Sequence, residues 1–150
     1  MFRGTYEHAI DAKGRTSFPS KFRELLSAED SSKLVLTTSL DSCVVAYPMR
    51  AWNEFQERLM KLPQFDKAVR DLRRIYISNA VDADVDSVGR LLVPPMLREY
   101  ANLKRDAVWA GNGNFVELWD KEKFRAARFA ITESEERREE MAQRLAELGL

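Results

Sequence analysis

Asp11-Ala12-Lys13-Gly14-Arg15-Thr16-Ser17-Phe18-Pro19 is answered 75 positions later by Asp86-Ser87-Val88-Gly89-Arg90-Leu91-Leu92-Val93-Pro94. Carried on to Leu26 and Ala101, the two stretches share Asp, Gly, Arg, Pro, Arg and Glu at six of sixteen positions. Ordinary residue frequencies would give about one match. Two copies are too few for a solenoid, which needs about three or more, and they predict instead an internally duplicated domain with a pseudo-two-fold axis.

The duplication continues as pattern where identity fades. Tyr6, His8 and Ile10 alternate before the first Asp, and Val81, Ala83 and Val85 before the second, each predicting a half-buried strand. After the prolines come short helical patterns, Phe22, Leu25 and Leu26 in one copy and Leu97, Tyr100 and Ala101 in the other. Pro19 and Pro94 suit early helix positions, where a missing N–H costs nothing. Leu34–Thr37 with Cys43–Tyr47, and Ala107–Ala110 with Phe115–Trp119, read as two hairpins. Gly111-Asn112-Gly113-Asn114 is the stronger turn signal and Ser39-Leu40-Asp41-Ser42 its looser counterpart. Each copy therefore reads strand, glycine turn, strand, short helix, hairpin, longer helix, an α+β plan.

The longer helices carry different surfaces. Pro48 opens one with Trp52, Phe55 and Leu59 on a face, and Pro63 ends it. The next places Phe65, Val69, Leu72 and Tyr76 on one side and Lys67, Arg70, Arg73 and Arg74 on the other. The C-terminal stretch starts with Phe124, Ala127 and Ile131 and restarts at Thr132-x-x-Glu135, a capping-box pattern. Met141, Leu145 and Leu148 continue an apolar stripe beside Glu133, Glu135, Glu136, Glu139 and Glu140.

With 45% hydrophobic and 32% charged residues, the 150-residue chain has the composition of a folded domain rather than a disordered one. No apolar run reaches the roughly 18 residues of a spanning helix. Met1-Phe2-Arg3-Gly4 runs straight into a strand pattern without a signal-peptide core. The single cysteine, Cys43, cannot make an internal disulfide. Together these predict a cytoplasmic protein without a membrane partner. Net charge is zero, yet residues 1–24 hold five cations against three anions while residues 133–147 hold six anions against three cations. A basic front and an acidic back suit a nucleic-acid binder whose subunits attract one another.

Catalytic constellations are sparse. His8 is the lone histidine and sits on a strand pattern, where a hydrogen-bonded structural residue is the default. Cys43 at a strand start reads as a buried, inert thiol. Gly111-Asn112-Gly113 lacks the third glycine and the following helix of a dinucleotide site. The Asp82, Asp84, Asp86 series has Ser87 and Val93 where a calcium loop needs Gly and Glu. The chain reads as a non-enzyme with no cofactor, metal or small-molecule ligand.

With Met1-Phe2-Arg3-Gly4 ahead of it and His8-x-x-Asp11 within it, the first turn sequence resembles the MraZ family, bacterial proteins built from two SpoVT-AbrB-type motifs. The paired Asp-x-x-x-Arg at Asp11/Arg15 and Asp86/Arg90 carries the resemblance, which covers essentially the whole chain. It implies a duplicated motif forming an interlocked (double-split) β-barrel flanked by α-helices. Its domains would be a first SpoVT-AbrB-type domain at 5–52, a helical linker at 53–80, a second such domain at 81–124 and a helical tail at 125–150. It also implies a ring-shaped homo-oligomer that binds short direct repeats in promoter DNA. The implied role is an autoregulatory, mainly repressing, nucleoid-associated regulator of the division and cell-wall gene cluster.

The chemistry of the turn agrees. Glycine permits positive φ and a close backbone approach. Arg15 can then project from a rigid strand, and an arginine fork meets guanine O6 and N7 with two hydrogen bonds. Lys13 beside Gly14 suits phosphate, which positions without specifying. Asp11 has the wrong sign for phosphate; it would cap turn amides or orient Arg15, and Asp86 and Gly89 would build the second turn likewise. The first turn is the polar, basic copy, whereas Val88 and Leu91-Leu92 make the second more apolar. Arg15 is therefore expected to dominate, with Arg90 either assisting or structural. Arg3, Lys21 and Arg23 are phosphate-neighbour candidates. The Lys67/Arg70/Arg73/Arg74 face suits either DNA or the acidic tail of an adjacent subunit. Two rivals remain open: an antitoxin-like module gripping a protein through the acidic helix, and a small metal-dependent enzyme using the 82–86 aspartates.

Overall fold

The computed structural model describes residues 1–26 and 30–150. Among these, the first copy supplies β1 (Thr5–Ala9), β2 (Arg15–Ser17), α1 (Ser20–Arg23), β3 (Lys33–Thr38), β4 (Val44–Pro48), α2 (Met49–Met60) and α3 (Lys67–Tyr76). The second supplies β5 (Val81–Asp84), β6 (Arg90–Leu92), α4 (Pro95–Tyr100), β7 (Asp106–Gly111) and β8 (Val116–Asp120), followed by α5 (Lys121–Thr132) and α6 (Glu135–Glu147). The chain divides into two units, Met1–Asp120 and Lys121–Leu150.

Within the first unit the copies exchange strands. One sheet runs β1-β7-β8-β4-β3-β5, and β2 pairs with β6 in a separate two-stranded ribbon. Replacing each strand by its counterpart (β1 by β5, β3 by β7, β4 by β8) returns the same order read backwards, so the pseudo-two-fold axis is built into the topology. All ladders are antiparallel; Tyr6 lies opposite Trp109 and Leu34 opposite Ala83. The ladder ends at β1 and β5 and does not close on itself. The interlock is seen in the strand exchange, not in a closed barrel.

Period-two alternation sorts side chains onto two faces. Leu34, Leu36, Val44, Ala46, Trp109, Val116 and Leu118 join Phe18, Phe22, Leu91, Val93 and Leu97 in one core. Val35, Val45 and Tyr47 point the other way, against Trp52, Phe55 and Tyr76 of α2 and α3. Both faces of β3 and β4 are thus buried, which is why these strands read as unbroken apolar runs. Phe18 and Trp109, both fully buried, meet edge to face at 5.2 Å and tie a residue beside the first turn to β7 of the sheet. Thr37 and Thr38 donate to the Tyr76 and Ile75 carbonyls, satisfying acceptors that the C-terminal end of α3 leaves open.

Four helix starts differ from the sequence expectation. Pro19 and Pro94 precede their helices instead of entering them, because their ψ values of 135° and 153° are extended. Phe65 does not join the α3 face; it lies before the N-cap Asp66 and is 85% exposed. In the C-terminal unit Ser134, not Thr132, caps α6 by accepting from the Arg137 amide. Thr132 instead donates back to the Arg128 carbonyl and closes α5.

Candidate nucleic-acid interface

The two Asp–Arg turns have nearly the same internal wiring. Asp11 Oδ1 accepts from the Lys13 and Arg15 amides at 2.9 Å each, and Asp86 Oδ1 accepts from the Val88 and Arg90 amides at 3.0 and 2.9 Å. The Gly14 amide donates to the Asp11 carbonyl and the Gly89 amide to the Asp86 carbonyl, 2.9 Å in both cases. The glycines take φ of +89° and +85°, left-handed conformations that a Cβ disfavours. In each aspartate the backbone N–H of the following arginine (Arg15 or Arg90) is the main cause holding the carboxyl below its ordinary range.

Beyond the backbone the turns part. Arg15 Nε donates to Asp11 Oδ2 at 2.8 Å, so the carboxylate fixes both the turn and the arginine's direction. The matching Arg90–Asp86 contact stretches to 3.6 Å, a looser ion pair. Both pairs are roughly half exposed, so their importance lies in orientation more than in stability.

The β2–β6 ribbon brings the arginines together. Arg15 pairs with Leu92 and Ser17 with Arg90, while Thr16 and Leu91 lie between them and are buried. Arg15, Ser17, Arg90 and Leu92 therefore share the opposite face, with the two guanidinium groups diagonally placed. A two-stranded ribbon of this kind has dimensions the major groove admits. Each turn is also bolted to the other copy: Phe18 N–H donates to the Gly89 carbonyl and Val93 N–H to the Gly14 carbonyl, 2.8 Å in both.

A cleft of about 750 Å³ opens beside this ribbon, lined by Asp11, Arg15 and Arg90 together with Arg98, Lys104 and Arg105. The last three are not among the residues the sequence singles out. The 75-residue offset does carry a signal for Arg98, since it matches Arg23. Arg98 lies beneath Gly14 with Nε on the Val93 carbonyl at 3.0 Å, and Arg23 lies beneath Gly89. Arg23 is half-buried there, not on the open surface of a phosphate neighbour. Arg3 and Lys21 line a separate cavity of about 590 Å³ with Tyr6 and Phe22, away from both arginine turns. Lys13 is exposed on the first turn.

The remaining candidates have local partners. Lys67 and Arg74 both pair with Asp71, Arg70 donates to the Phe65 carbonyl, and Arg73 donates to the Met60 and Leu62 carbonyls. The α3 cations thus clasp the α2–α3 connection. His8 faces Ala107 across the ladder, and burial followed by the Arg23 charge pushes its pKa down. Cys43 is fully buried beside Ser39, its thiol pushed up to about 12 by burial. Among the described residues no three His, Cys, Asp or Glu side chains are grouped to hold a metal ion. No helix among them is long and apolar enough to cross a membrane.

A family profile described as "MraZ protein, putative antitoxin-like" matches the chain twice, over residues 1–75 and 76–147. The chain belongs to the MraZ family. The double match falls on the two strand-exchanging copies. A protein of Acetivibrio thermocellus named transcriptional regulator MraZ is 44% identical over 124 residues, 83% of this chain and 84% of its own length. Proteins of the same name from Polaromonas (40% over 141 residues, 94% of each chain) and Legionella pneumophila (41% over 129 residues, 85% of each) are similar along most of the sequence.

Proposed function

We propose that this MraZ-family chain is a sequence-specific DNA-binding transcriptional regulator that reads promoter direct repeats with the Asp11–Arg15 turn. The single observation that carries the reading is the fixed Arg15: a guanidinium held by Asp11 at 2.8 Å on the exposed face of a narrow ribbon, within a cation-lined cleft. Such a fork is pre-organised for a guanine edge, and the neighbouring Lys13 and Arg90 supply charge for phosphate or a second base. The relatives' name, transcriptional regulator, supports the same role. The full proposal is autoregulation, mainly repression, of the division and cell-wall gene cluster, carried out in the cytoplasm at the nucleoid.

The working units in this reading are DNA-binding domains at 5–52 and 81–124, a helical linker at 53–80 and an assembly tail at 125–150. Assembly into a ring with closed, interlocked barrels is part of it. The roughly half-exposed Met141 and Leu145 and the more exposed Leu148 on α6 support a tail that associates. One small turn discriminates poorly, since each mismatch costs only about 1–3 kcal/mol, so several copies on tandem boxes gain through effective concentration.

The test is a salt-series titration of wild type and Arg15→Ala on a duplex carrying the tandem repeats upstream of the protein's own gene, with a scrambled duplex as control. Specific wild-type binding that disappears in a folded Arg15→Ala supports the reading. Equal, weak binding of both proteins to both duplexes would overturn it. That result would favour the antitoxin-like partner module, which the wording of the matching family profile also suggests.

A further inference from the structure

We infer that Lys104 and Arg105 form a phosphate-holding wall for the first turn, so that the DNA site is composite: base reading from copy one, backbone anchoring from copy two. The inference rests on the DNA-reading role proposed above for Arg15. Both side chains are exposed and line the cleft together with Asp11 and Arg15.

Strand exchange puts them there. β7, which follows Arg105, pairs with β1, which precedes Asp11, and Ala9 lies opposite Asp106. The Ile10 amide donates to the Arg105 carbonyl at 2.7 Å, one residue before the first turn begins. At the other end of the loop, Leu103 N–H donates to the Arg98 carbonyl at 2.8 Å. Lys104 and Arg105 therefore stand on a loop pinned at both ends, and little ordering remains to be done when an anion arrives.

Among the described residues the second turn has no such pair. The bond equivalent to Ile10–Arg105 is Val85 N–H to the Ser32 carbonyl at 2.9 Å, again one residue ahead of the turn. The positions corresponding to Lys104 and Arg105 are thus Ser31 and Ser32. An equivalent strand-entry bond leaves two cations beside one turn and two hydroxyls beside the other, and the serines take positive φ (49° and 58°) where the cations do not. A fold stabilised by that loop alone would not need the charge difference, whereas a phosphate backbone lying across one turn would. Lysine and arginine at such positions hold phosphate without reading sequence.

The experiment adds Lys104→Ala, Arg105→Ala, their double variant and the double reversal to Glu to the salt titration, again with the tandem-repeat and scrambled duplexes. Circular dichroism of each full-length variant establishes folding. The log–log salt slope should become shallower by about 0.9 for each phosphate no longer neutralised, about 1.8 for the double variant. Affinity for the two duplexes should fall by the same factor, with the reversal weakening it further and Ser31→Ala/Ser32→Ala changing nothing. An unchanged slope in the double variant, with Arg15→Ala still defective, would overturn the wall and leave the reading head intact. Collapse of the preference for the repeats in the double variant would also overturn it, because the pair would then be reading bases. If wild type and Arg15→Ala bind both duplexes equally weakly, the DNA-reading proposal itself fails, and the wall with it.

Discussion

The Asp11–Arg15 and Asp86–Arg90 turns are the same backbone object with different surroundings. Their aspartates cap equivalent amides, their glycines adopt equivalent φ, and their glycine carbonyls accept equivalent cross-copy bonds. Around the first turn the arginine is bonded at 2.8 Å and the adjoining loop carries Lys104-Arg105; around the second the separation is 3.6 Å and the loop carries Ser31-Ser32. The parts that make the turn are the same in both copies, and the side chains around it differ. Specific substitutions can break that comparison.

The largest expected effect is on the glycines, and it is unequal. A Cβ on Gly14 would lie 2.7 Å from the Val93 carbonyl oxygen, a backbone atom that already accepts from Arg98 Nε. A Cβ on Gly89 would meet the guanidinium of Arg23, the movable end of a side chain. Both replacements force alanine into positive φ, but only one also presses on a backbone atom. Gly14→Ala should cost on the order of 3 kcal/mol in denaturant unfolding and Gly89→Ala about 1 kcal/mol. Equal destabilisation would mean that Arg23 is as rigid as backbone.

Next in size is the arginine pair. Arg15→Ala should reduce the preference for the tandem-repeat duplex by about ten- to a hundredfold, the value of one bidentate base interaction. Arg90→Ala, whose guanidinium is less firmly aimed, should cost visibly less in the same titration. Matching reductions would make the site symmetric and remove the distinction drawn between the copies.

Thr16 and Leu91 face each other in the ribbon, both buried, and only one of them suits its place. Thr16 Oγ1 has no hydrogen-bond partner among the described residues. Replacing the hydroxyl by a methyl of similar shape should relieve an unsatisfied polar atom, so Thr16→Val is expected to raise stability by about 1 kcal/mol. A lower unfolding midpoint would show that the hydroxyl has a partner, such as water, in solution.

The turn and the strands are legible in the sequence because both are local. Asp-x-x-Gly-Arg states its own capping chemistry, the unbroken apolar run at Leu34–Leu36 states a strand buried on both faces, and the alternation in Val116–Leu118 states which side chains face the core. The cleft is not legible, since Arg98, Lys104 and Arg105 reach the first turn only through the β1–β7 and β2–β6 pairings. The place of Arg23 escapes a sequence reading for the same reason: the glycine it packs against lies 66 positions away. The α3 cations read as a free basic face, although Asp71 and the carbonyls of the α2–α3 connection are in the same stretch of sequence. Helix periodicity places side chains around an axis but says nothing of loop carbonyls folding back toward them.

The smallest effect tests what the two turns share. Both aspartates titrate below their ordinary value when folded, chiefly because an arginine backbone N–H bonds the charged form. A depressed folded pKa means that the unfolded chain binds the proton more readily. The contribution is therefore complete above the ordinary aspartate value and is lost as pH falls through the folded one. Unfolding midpoints measured down an acid series should show that loss in wild type. Asp11→Asn and Asp86→Asn each keep an oxygen for the turn amides while removing the titration, so each should flatten part of the acid limb. Because the leading cause is the same backbone bond in both copies, the two changes should be close in size. Asp11→Asn should be slightly the larger, since Arg15 adds its side-chain bond at 2.8 Å. A larger change from Asp86→Asn would reverse the ranking of the turns, placing the tighter ion pair in the second copy.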